Sequence, residues 1–246
     1  MPAEDHFGES VAARYDDSAD EMFDAVVIDR TVAFLADLAG GGSALELGIG
    51  TGRIGLPLQS AGVSVHGIDL SPAMVKRLKA KPGGDQIDVT IGDFATATAP
   101  GAYRLAYLVY NTIMNLTTQV EQVACFRNVA RHLEPGGRFV IEVGLPDLQR
   151  LPRGEVYRPF TVSPRRIGFD EYDVVNQGLI SHHFAFEDGK VRTMSHPFRY
   201  VWPSELDLMA QLADLTLMAR WGDWDRRPFT SDSEKHVSIW QKQVAD

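Results

Sequence analysis

The sequence predicts an α/β fold: a doubly wound, mostly parallel sheet of seven strands, with an antiparallel strand insertion after the fifth strand. Across residues 44–143, short apolar runs alternate with helical patterns and glycine turns, which is typical of βαβ units. Beyond Leu145 this alternation stops, and runs rich in aromatic and β-branched residues indicate antiparallel strands. These two observations together predict the fold class.

The composition indicates one globular domain over residues 1–246. Hydrophobic residues make up 44% of the chain and charged residues 23%, so a full apolar core can form. The formal net charge of −9 argues against a nucleic-acid partner, because such a partner favours a basic face. The one cysteine, Cys125, excludes an intrachain disulfide and a cysteine-rich zinc site.

Residues 1–38 are predicted to form an N-terminal helical leader. Apolar residues recur at intervals of three and four over residues 21–38, and three glycines from Gly40 to Gly42 end that helix. Residues 1–10 are polar and acidic, without the apolar core of a signal peptide. The chain also contains no run approaching the ~18 to 20 apolar residues that span a bilayer. We therefore expect a cytoplasmic protein with no membrane partner.

The first strand leads directly into a glycine-rich turn. Residues 44–52 form a short apolar run with one carboxylate, Glu46, followed by Gly48, Gly50 and Gly52. This pattern predicts a buried strand, a turn with little side-chain bulk and the start of a helix. Glycine permits positive φ angles and close approach of a ligand to the backbone. The helix N-terminus behind the turn offers unpaired N–H groups to that ligand.

The glycine pattern is open to two interpretations. Gly50, Gly52 and Gly55 match G-x-G-x-x-G, and Asp69 follows about twenty residues later, as a nicotinamide dinucleotide site requires. Against that interpretation, Glu46 stands inside the strand, where a nicotinamide site normally has apolar residues.

The motif Glu-x-Gly-x-Gly-x-Gly, from Glu46 to Gly52, resembles the first motif of the class I S-adenosylmethionine-dependent methyltransferases, in their small-molecule branch. A tight turn at Pro135-Gly136-Gly137, before the predicted fifth strand, also resembles that family. The resemblance implies a Rossmann-like sheet whose final hairpin inserts one strand antiparallel. It further implies that S-adenosylmethionine binds with its amino-acid end over Glu46 and its sugar against the glycines.

The ends of the second and third predicted strands extend the resemblance. Asp69 ends the second strand, where a carboxylate can accept both ribose hydroxyls of a nucleoside; this holds equally for NAD. Leu70 and Met74 follow it as candidate contacts to the adenine face, or as core residues. Asp93 and Phe94 follow the third strand, and the resemblance implies that they bind adenine. The alternative for Asp93 is a turn-forming role.

The loop after the fourth strand is predicted to line the site of methyl transfer. Residues 110–115 leave a buried strand at the carboxyl edge of the sheet, so Tyr110 and Asn115 are candidate catalytic residues. Asn111 in the same loop and Arg53 after the glycine turn are assigned to the cofactor site. The resemblance implies that Tyr15 of the leader folds over the cofactor, with a solvated leader as the alternative.

Residues 147–202 are predicted to form an inserted antiparallel sheet that covers the substrate. His182 and His183 are candidate bases there, but neighbours on a strand point to opposite faces, so at most one faces the cleft. For the same reason we predict no metal site.

These observations predict an enzyme that transfers a methyl group from S-adenosylmethionine to an N, O or C nucleophile of a small molecule. Two alternatives stay open at this point. One is a protein that binds adenosylmethionine without methylating, and the other is a NAD-dependent dehydrogenase. No oligomeric state follows from the sequence.

Overall fold

The computed structural model describes residues 7–17, 21–187 and 189–244. Within these ranges the chain forms eleven strands and six α-helices. The strands are β1 (Ala44–Leu47), β2 (Val65–Asp69), β3 (Asp88–Ile91), β4 (Tyr103–Leu108), β5 (Leu133–Gly144), β6 (Tyr157–Val162), β7 (Arg166–Asp173), β8 (Gly178–Glu187), β9 (Lys190–Arg199), β10 (Leu215–Trp221) and β11 (Lys235–Lys242). The helices are α1 (Glu9–Ala12), α2 (Ala25–Ala39), α3 (Gly55–Ser60), α4 (Pro72–Lys79), α5 (Gln119–His132) and α6 (Pro203–Gln211).

The main sheet has seven strands in the order β10-β11-β5-β4-β1-β2-β3 within the described ranges. Neighbouring strands from β3 to β5 pair in parallel, whereas β11 runs antiparallel to both β5 and β10. The predicted fold class, including the antiparallel final hairpin, is therefore confirmed. The chain proceeds outward from β1 through β3 and then returns to β4. This reversal opens a crevice at the carboxyl ends of β1 and β4, where doubly wound sheets bind ligands.

Apolar clusters on both faces of the main sheet hold the helices in place. On one face α5 and α6 pack through the rings of Phe126, Phe139 and Trp240, with ring centroids 5.1 Å apart for the first two and 5.5 Å for Phe126 and Trp240. On the other face Leu35 of α2 and Leu58 of α3 are fully buried. Such burial is the main stabilising contribution to the fold.

The described leader is less continuous than predicted. A helix was expected over residues 21–38, but a 3-10 turn occupies Glu21–Phe23 and α2 begins only at Ala25. Asp24 causes the break, because its carboxylate accepts the Val26 N–H at 2.8 Å and caps the helix.

A second, antiparallel sheet has the strand order β6-β7-β8-β9. The β-rich runs over residues 169–176, 179–186 and 191–200 predict three of its strands, β7, β8 and β9, whereas β6 was missed. Pro159 lies inside β6 and argues against a strand in the sequence, but β6 is an edge strand with a register shift at this point, which tolerates proline. Between β8 and β9 the sequence Asp188-Gly189 is typical of a hairpin turn, and Asp188 lies outside the described residues.

The inserted sheet has an inner face, which packs on the main domain, and an outer face. Tyr172 of β7, Leu179 of β8 and Tyr200 form a buried cluster on the inner face, with Met114 of the loop after β4 packed against it.

Among the described helices, none is long and apolar enough to cross a bilayer.

A buried ion pair ties the inserted sheet to the helices. Arg199, at the end of β9, bonds Glu205 of α6 at 2.7 Å and Gln122 of α5 at 2.5 Å. Both charged side chains are largely removed from water, so removing one of them would leave the other as a buried charge without a counter-ion.

Replacing Arg199 with methionine is expected to lower the free energy of unfolding by about 3–5 kcal/mol, because Glu205 stays buried without its cation. Urea unfolding followed by tryptophan fluorescence measures this change. The control is Arg150→Met, since Arg150 is an exposed partner of Asp147 and such pairs contribute ~1 kcal/mol or less. Equal losses in both variants would contradict the role given to Arg199.

Candidate active site

The glycine turn after β1 has an open backbone surface. Gly48, Gly50 and Gly52 have φ angles of 71°, 56° and 80°, which favour glycine strongly over other residues. A Cβ atom on Gly48 would lie 2.7 Å from the Thr112 side chain, and one on Gly52 would lie 2.3 Å from Leu78. The turn therefore requires glycine both for its conformation and for its close neighbours.

Asp69 connects the glycine turn to the start of α4. Its Oδ2 accepts the Gly50 N–H at 2.6 Å, and its Oδ1 accepts the Ser71 N–H at 2.8 Å. The carboxylate lies at the carboxyl end of β2. It stands where the sequence predicted a contact to ribose.

Glu46 is a buried carboxyl group beneath the same turn. The Tyr107 hydroxyl donates to its Oε2 at 3.0 Å, and 3% of Glu46 is exposed. This burial raises the pKa of Glu46 to about 8, so the side chain is mostly protonated at neutral pH. A Cβ atom on Gly55 would lie 2.7 Å from Oε2, so Gly55 leaves room for the carboxyl group. A cation placed beside Glu46 would favour its ionised form.

Arg53 brings a positive charge to the same place. Its guanidinium carbon lies 5.9 Å from the ring centroid of Phe23 and 5.7 Å from that of Tyr110, and Nη1 donates to the Met22 carbonyl at 2.9 Å. These contacts hold the guanidinium at the pocket, where it can bind a carboxylate.

The leader covers the glycine turn. The Thr51 hydroxyl donates to Asp16 at 2.6 Å, and Lys81 pairs with the same carboxylate at 2.7 Å. Tyr15 is thereby held against the pocket, and burial raises its pKa to about 12, so its hydroxyl is a neutral donor.

A pocket lies between the leader, the glycine turn and the loop after β4. Its walls are Tyr15, Glu46, Gly48, Ile49, Gly50, Thr51, Arg53, Val109, Tyr110 and Thr112. Six of these were predicted from the sequence. Ile49, Thr51, Val109 and Thr112 were not, although each of them directly neighbours a predicted residue. Tyr107, which bonds Glu46, was also missed.

The residues predicted to contact adenine have mixed surroundings. Met74 lies under the glycine turn, 3.3 Å from the position of a Cβ atom on Gly50, and Leu70 is partly exposed beside Asp69. Asp93 accepts the Ala95 N–H at 2.8 Å, which is the turn-forming role given as its alternative. The Phe94 side chain packs into the core, so its backbone is the part available to a ligand.

The loop over residues 110–115 is shaped by its own polar groups. Tyr110 and Asn111 have left-handed φ angles of 53° and 63°. The Tyr110 N–H donates to Glu142 at 3.0 Å, and the Asn111 side chain accepts the Gly144 N–H at 2.6 Å. Asn115 donates to the Thr112 carbonyl at 3.1 Å. Both asparagine side chains thus stabilise the loop, while the Tyr110 ring contacts Arg53.

The two adjacent histidines lie on opposite faces of the inserted sheet. His182 bonds Glu171 at 3.1 Å and packs on Phe169 on the outer face. His183 bonds Ser181 at 3.1 Å on the inner face, which is the face packed on the main domain. The structure therefore brings His183 toward the cleft side and separates His182 from it.

These features define a class of protein. A doubly wound sheet ending in an antiparallel strand carries a glycine turn, a buried carboxyl group and a guanidinium at one pocket, with Asp69 at the tip of β2. That set fits an amino acid joined to a nucleoside, because it offers partners for an ammonium group, a carboxylate and a pair of hydroxyls. Fold and site together are those of a nucleoside-binding α/β enzyme of the methyltransferase type.

Comparison with known proteins agrees with this class. A family model described as a methyltransferase domain matches residues 44–137. The CcbJ methyltransferase from Streptomyces caelestis is 33% identical, with a TM-score of 0.87 over 98% of this chain and 100% of that one. The chain belongs to the class I S-adenosylmethionine-dependent methyltransferases, is an enzyme, and uses S-adenosylmethionine as its cofactor.

Two further relatives extend the comparison. The cypemycin N-terminal methyltransferase of a Streptomyces species is 26% identical over 245 residues, which covers 93% of this chain and 98% of that protein. CalS10 from Micromonospora echinaspora, an amino pentose methyltransferase solved with S-adenosylmethionine, is 20% identical with a TM-score of 0.66 over 94% and 95% of the chains, and shares the fold.

Proposed function

We propose that this enzyme methylates a nucleophilic nitrogen of a small molecule enclosed between the leader, the 110–115 loop and the inserted sheet. The observation that carries the proposal is the contact of the inner face with Met114, one residue before Asn115. That contact supports a roof over the pocket, because the loop lies at the carboxyl edge where the cofactor pocket opens.

The cofactor would be held at both of its polar ends. Glu46 would bind its ammonium group, Arg53 its carboxylate and Asp69 its ribose hydroxyls, with Tyr15 as a neutral donor above them. Asp93 or the backbone at Phe94 would bind the adenine. When bound, S-adenosylmethionine supplies a methyl group already activated by its positive sulfur.

The chain's own contribution is then alignment and exclusion of water. Orienting a nucleophile toward a fixed electrophile can lower a barrier by ~7–11 kcal/mol. The rings of Tyr15 and Tyr110 line the pocket and would keep water from the reacting atoms. His183 is the candidate base on the inner face, and it would take a proton on Nδ1 only after releasing its contact with Arg166. Asn115 would position the acceptor.

A nitrogen acceptor is supported by the cypemycin relative, whose name places its reaction at an N-terminus. A small acceptor is supported by the roofed pocket, and the net charge of −9 supports an acceptor other than a nucleic acid. Cys125 is buried as a free thiol, which is compatible with the cytoplasmic location that we also propose.

The test is methyl transfer from radiolabelled cofactor to a panel of amino sugars, short peptides with free N-termini and aliphatic amines. Each amine is paired with its matching alcohol, and duplex DNA and RNA are included. Transfer to small amines and not to their alcohols or to nucleic acid supports the proposal. Transfer to alcohols alone, or salt-dependent transfer to nucleic acid, would overturn it.

Replacing Tyr110 with alanine is expected to raise the KM for the cofactor and lower kcat, each several-fold. Its ring holds Arg53 by a cation–π contact, which contributes ~0.5 to 2 kcal/mol. Steady-state kinetics measures both constants. Tyr157→Ala, an exposed tyrosine in edge strand β6 of the inserted sheet, is the matched control and should behave as the parent enzyme. Normal kinetics for Tyr110→Ala would remove Tyr110 from the site.

A further inference from the structure

A polar chain runs along the inner face of the inserted sheet. Asp170 of β7 and Ser181 of β8 are paired in register, and the Ser181 hydroxyl beside the Asp170 carboxylate favours its charged form, which lowers the pKa of Asp170 against the larger effect of burial. Ser181 is 8% exposed, and its oxygen also lies 3.1 Å from Nε2 of His183. Nδ1 of His183 lies 3.2 Å from a guanidinium nitrogen of Arg166.

These contacts allow one consistent assignment of protons. Arg166 can only donate, so Nδ1 of His183 accepts and its Nε2 carries the hydrogen. Nε2–H then donates to the Ser181 oxygen, which leaves the Ser181 hydroxyl hydrogen for Asp170. The chain is therefore directed toward Asp170, whose carboxylate is held in a fixed orientation as the final acceptor.

The basic residue beside Asp170 is directed elsewhere. Arg158 of β6 is opposite Asp170 in the strand register, yet its Nε donates to Asp147 at 3.0 Å. Burial raises the pKa of Asp170, which shows that its surroundings disfavour the charged carboxylate. A cation arriving from outside the chain would relieve this cost.

Asp170 lies between two contacts that the inner face makes with the rest of the protein. On one side, Tyr172 lies two residues along β7 and belongs to the cluster that packs on Met114. On the other side, His196 is paired with Ser181 in register, and its ring stacks on Phe7 at 5.9 Å. The Phe7 ring meets Tyr15 edge-on at 6.3 Å, and Tyr15 lines the pocket.

We propose that Asp170, paired with Ser181 across the strands, binds the ammonium form of the acceptor, so that the acceptor reaches the enzyme as a cationic amine. Before methyl transfer the ammonium group gives one proton to the Asp170 carboxylate, which leaves a neutral nitrogen whose lone pair attacks the methyl group. This inference rests on the proposed function and names the group that recognises the substrate. The Tyr172 ring and the Phe7 ring that stacks on His196 lie on either side of Asp170 along the inner face, which suits an amine carried on an apolar or sugar-like body.

The test uses cyclohexylamine and cyclohexanol as a charged and a neutral probe of similar shape. Binding of each probe to the enzyme saturated with S-adenosylhomocysteine, the demethylated cofactor, is measured by NMR titration at neutral pH. The parent enzyme should prefer the amine, and Asp170→Asn should weaken amine binding roughly tenfold or more while leaving the alcohol unchanged, because a bond between two charged groups is lost. No preference for the amine in the parent enzyme would overturn the proposal.

The matched control is Glu171→Gln, which removes the same charge one residue away. Glu171 bonds His182 on the outer face, so amine binding should be unchanged. Equal weakening in both variants would indicate an effect of net charge and would also overturn the proposal. Binding of S-adenosylhomocysteine by calorimetry serves as the folding check for every variant.

A second variant, Ser181→Ala, keeps the carboxylate and removes the hydroxyl that orients it. We expect a smaller loss of amine binding than in Asp170→Asn. Different results would contradict the proposed function and the role of Asp170. If amines are methylated and their KM is unchanged in Asp170→Asn, this inference is wrong and the proposed function stands. If only alcohols are methylated, the proposed function fails whatever Asp170 does.

Discussion

Replacing Asp69 with alanine is expected to weaken S-adenosylmethionine binding roughly tenfold to a hundredfold, because hydrogen bonds to a charged group are worth ~1.5–3 kcal/mol each. The structure adds a second reason. Asp69 accepts the backbone N–H groups of Gly50 and Ser71, so its removal also releases the glycine turn from α4. Calorimetry with the cofactor and with its demethylated product measures the loss.

The control for Asp69 is Asp85→Ala, an exposed aspartate in the short helical turn before β3. It should bind the cofactor as the parent protein does. Circular dichroism should show that both variants fold. An Asp69→Ala protein with unchanged cofactor affinity would contradict the ribose role proposed for this carboxylate.

Replacing Glu46 with glutamine is expected to change stability and cofactor binding in opposite directions. In the cofactor-free protein burial raises the pKa of Glu46 to about 8, whereas an unfolded glutamate ionises near ~4.3. Between these two values the folded state binds more protons, so the contribution of Glu46 to stability is lost as pH rises through about 8. Glutamine mimics the protonated form and has no such loss.

Urea unfolding at a series of pH values tests the expected change in stability. The parent protein should lose stability relative to Glu46→Gln as pH rises from about 5 to about 9, by an amount on the order of a few kcal/mol. Glutamine retains an oxygen that can accept from Tyr107, so the variant should fold. Parallel pH curves for the two proteins would show that Glu46 titrates in the same way folded and unfolded.

Calorimetric titration with the cofactor tests the expected change in binding. An ammonium group beside Glu46 would favour the ionised carboxylate, so binding should release a proton and strengthen as pH rises toward about 8. Calorimetry in buffers of different ionisation enthalpy measures the proton release. Glu46→Gln should bind at least roughly tenfold more weakly and release fewer protons. Equal proton release in both proteins would assign the titration to another group.

The glycine turn, Glu46 and Asp69 could be located from the sequence because they depend on local order. Alternating strands and helices in a parallel sheet bring the carboxyl ends of all strands to one edge. Residues that directly follow an apolar run are therefore near the ligand, whatever the details of packing. The same reasoning led to Tyr110, which lines the pocket.

Other features depend on which strands pair and in which register. Tyr107 donates to Glu46 because β1 and β4 pair with these two residues opposite each other, and that register has no signature in either segment. Strand alternation predicted that His182 and His183 face opposite ways. Which of them faces inward was decided by the apolar residues that share their faces, since Leu179 is buried against the main domain.

The inserted sheet shows the same limit most clearly. Its β-rich runs could be identified in the sequence. Pro159 argued against a strand at β6, and no sequence motif singled out Asp170. Asp170 became a candidate only from the tertiary structure. It is paired with Ser181, and the neighbouring Arg158 donates to Asp147 instead. The inner face of the inserted sheet, which carries Asp170, contacts Met114 and Phe7. Sequence by itself determined the order of elements and the cofactor edge, because those follow from local patterns. Strand register and sheet packing decided which residues face the proposed acceptor site, because both join residues that are distant along the chain.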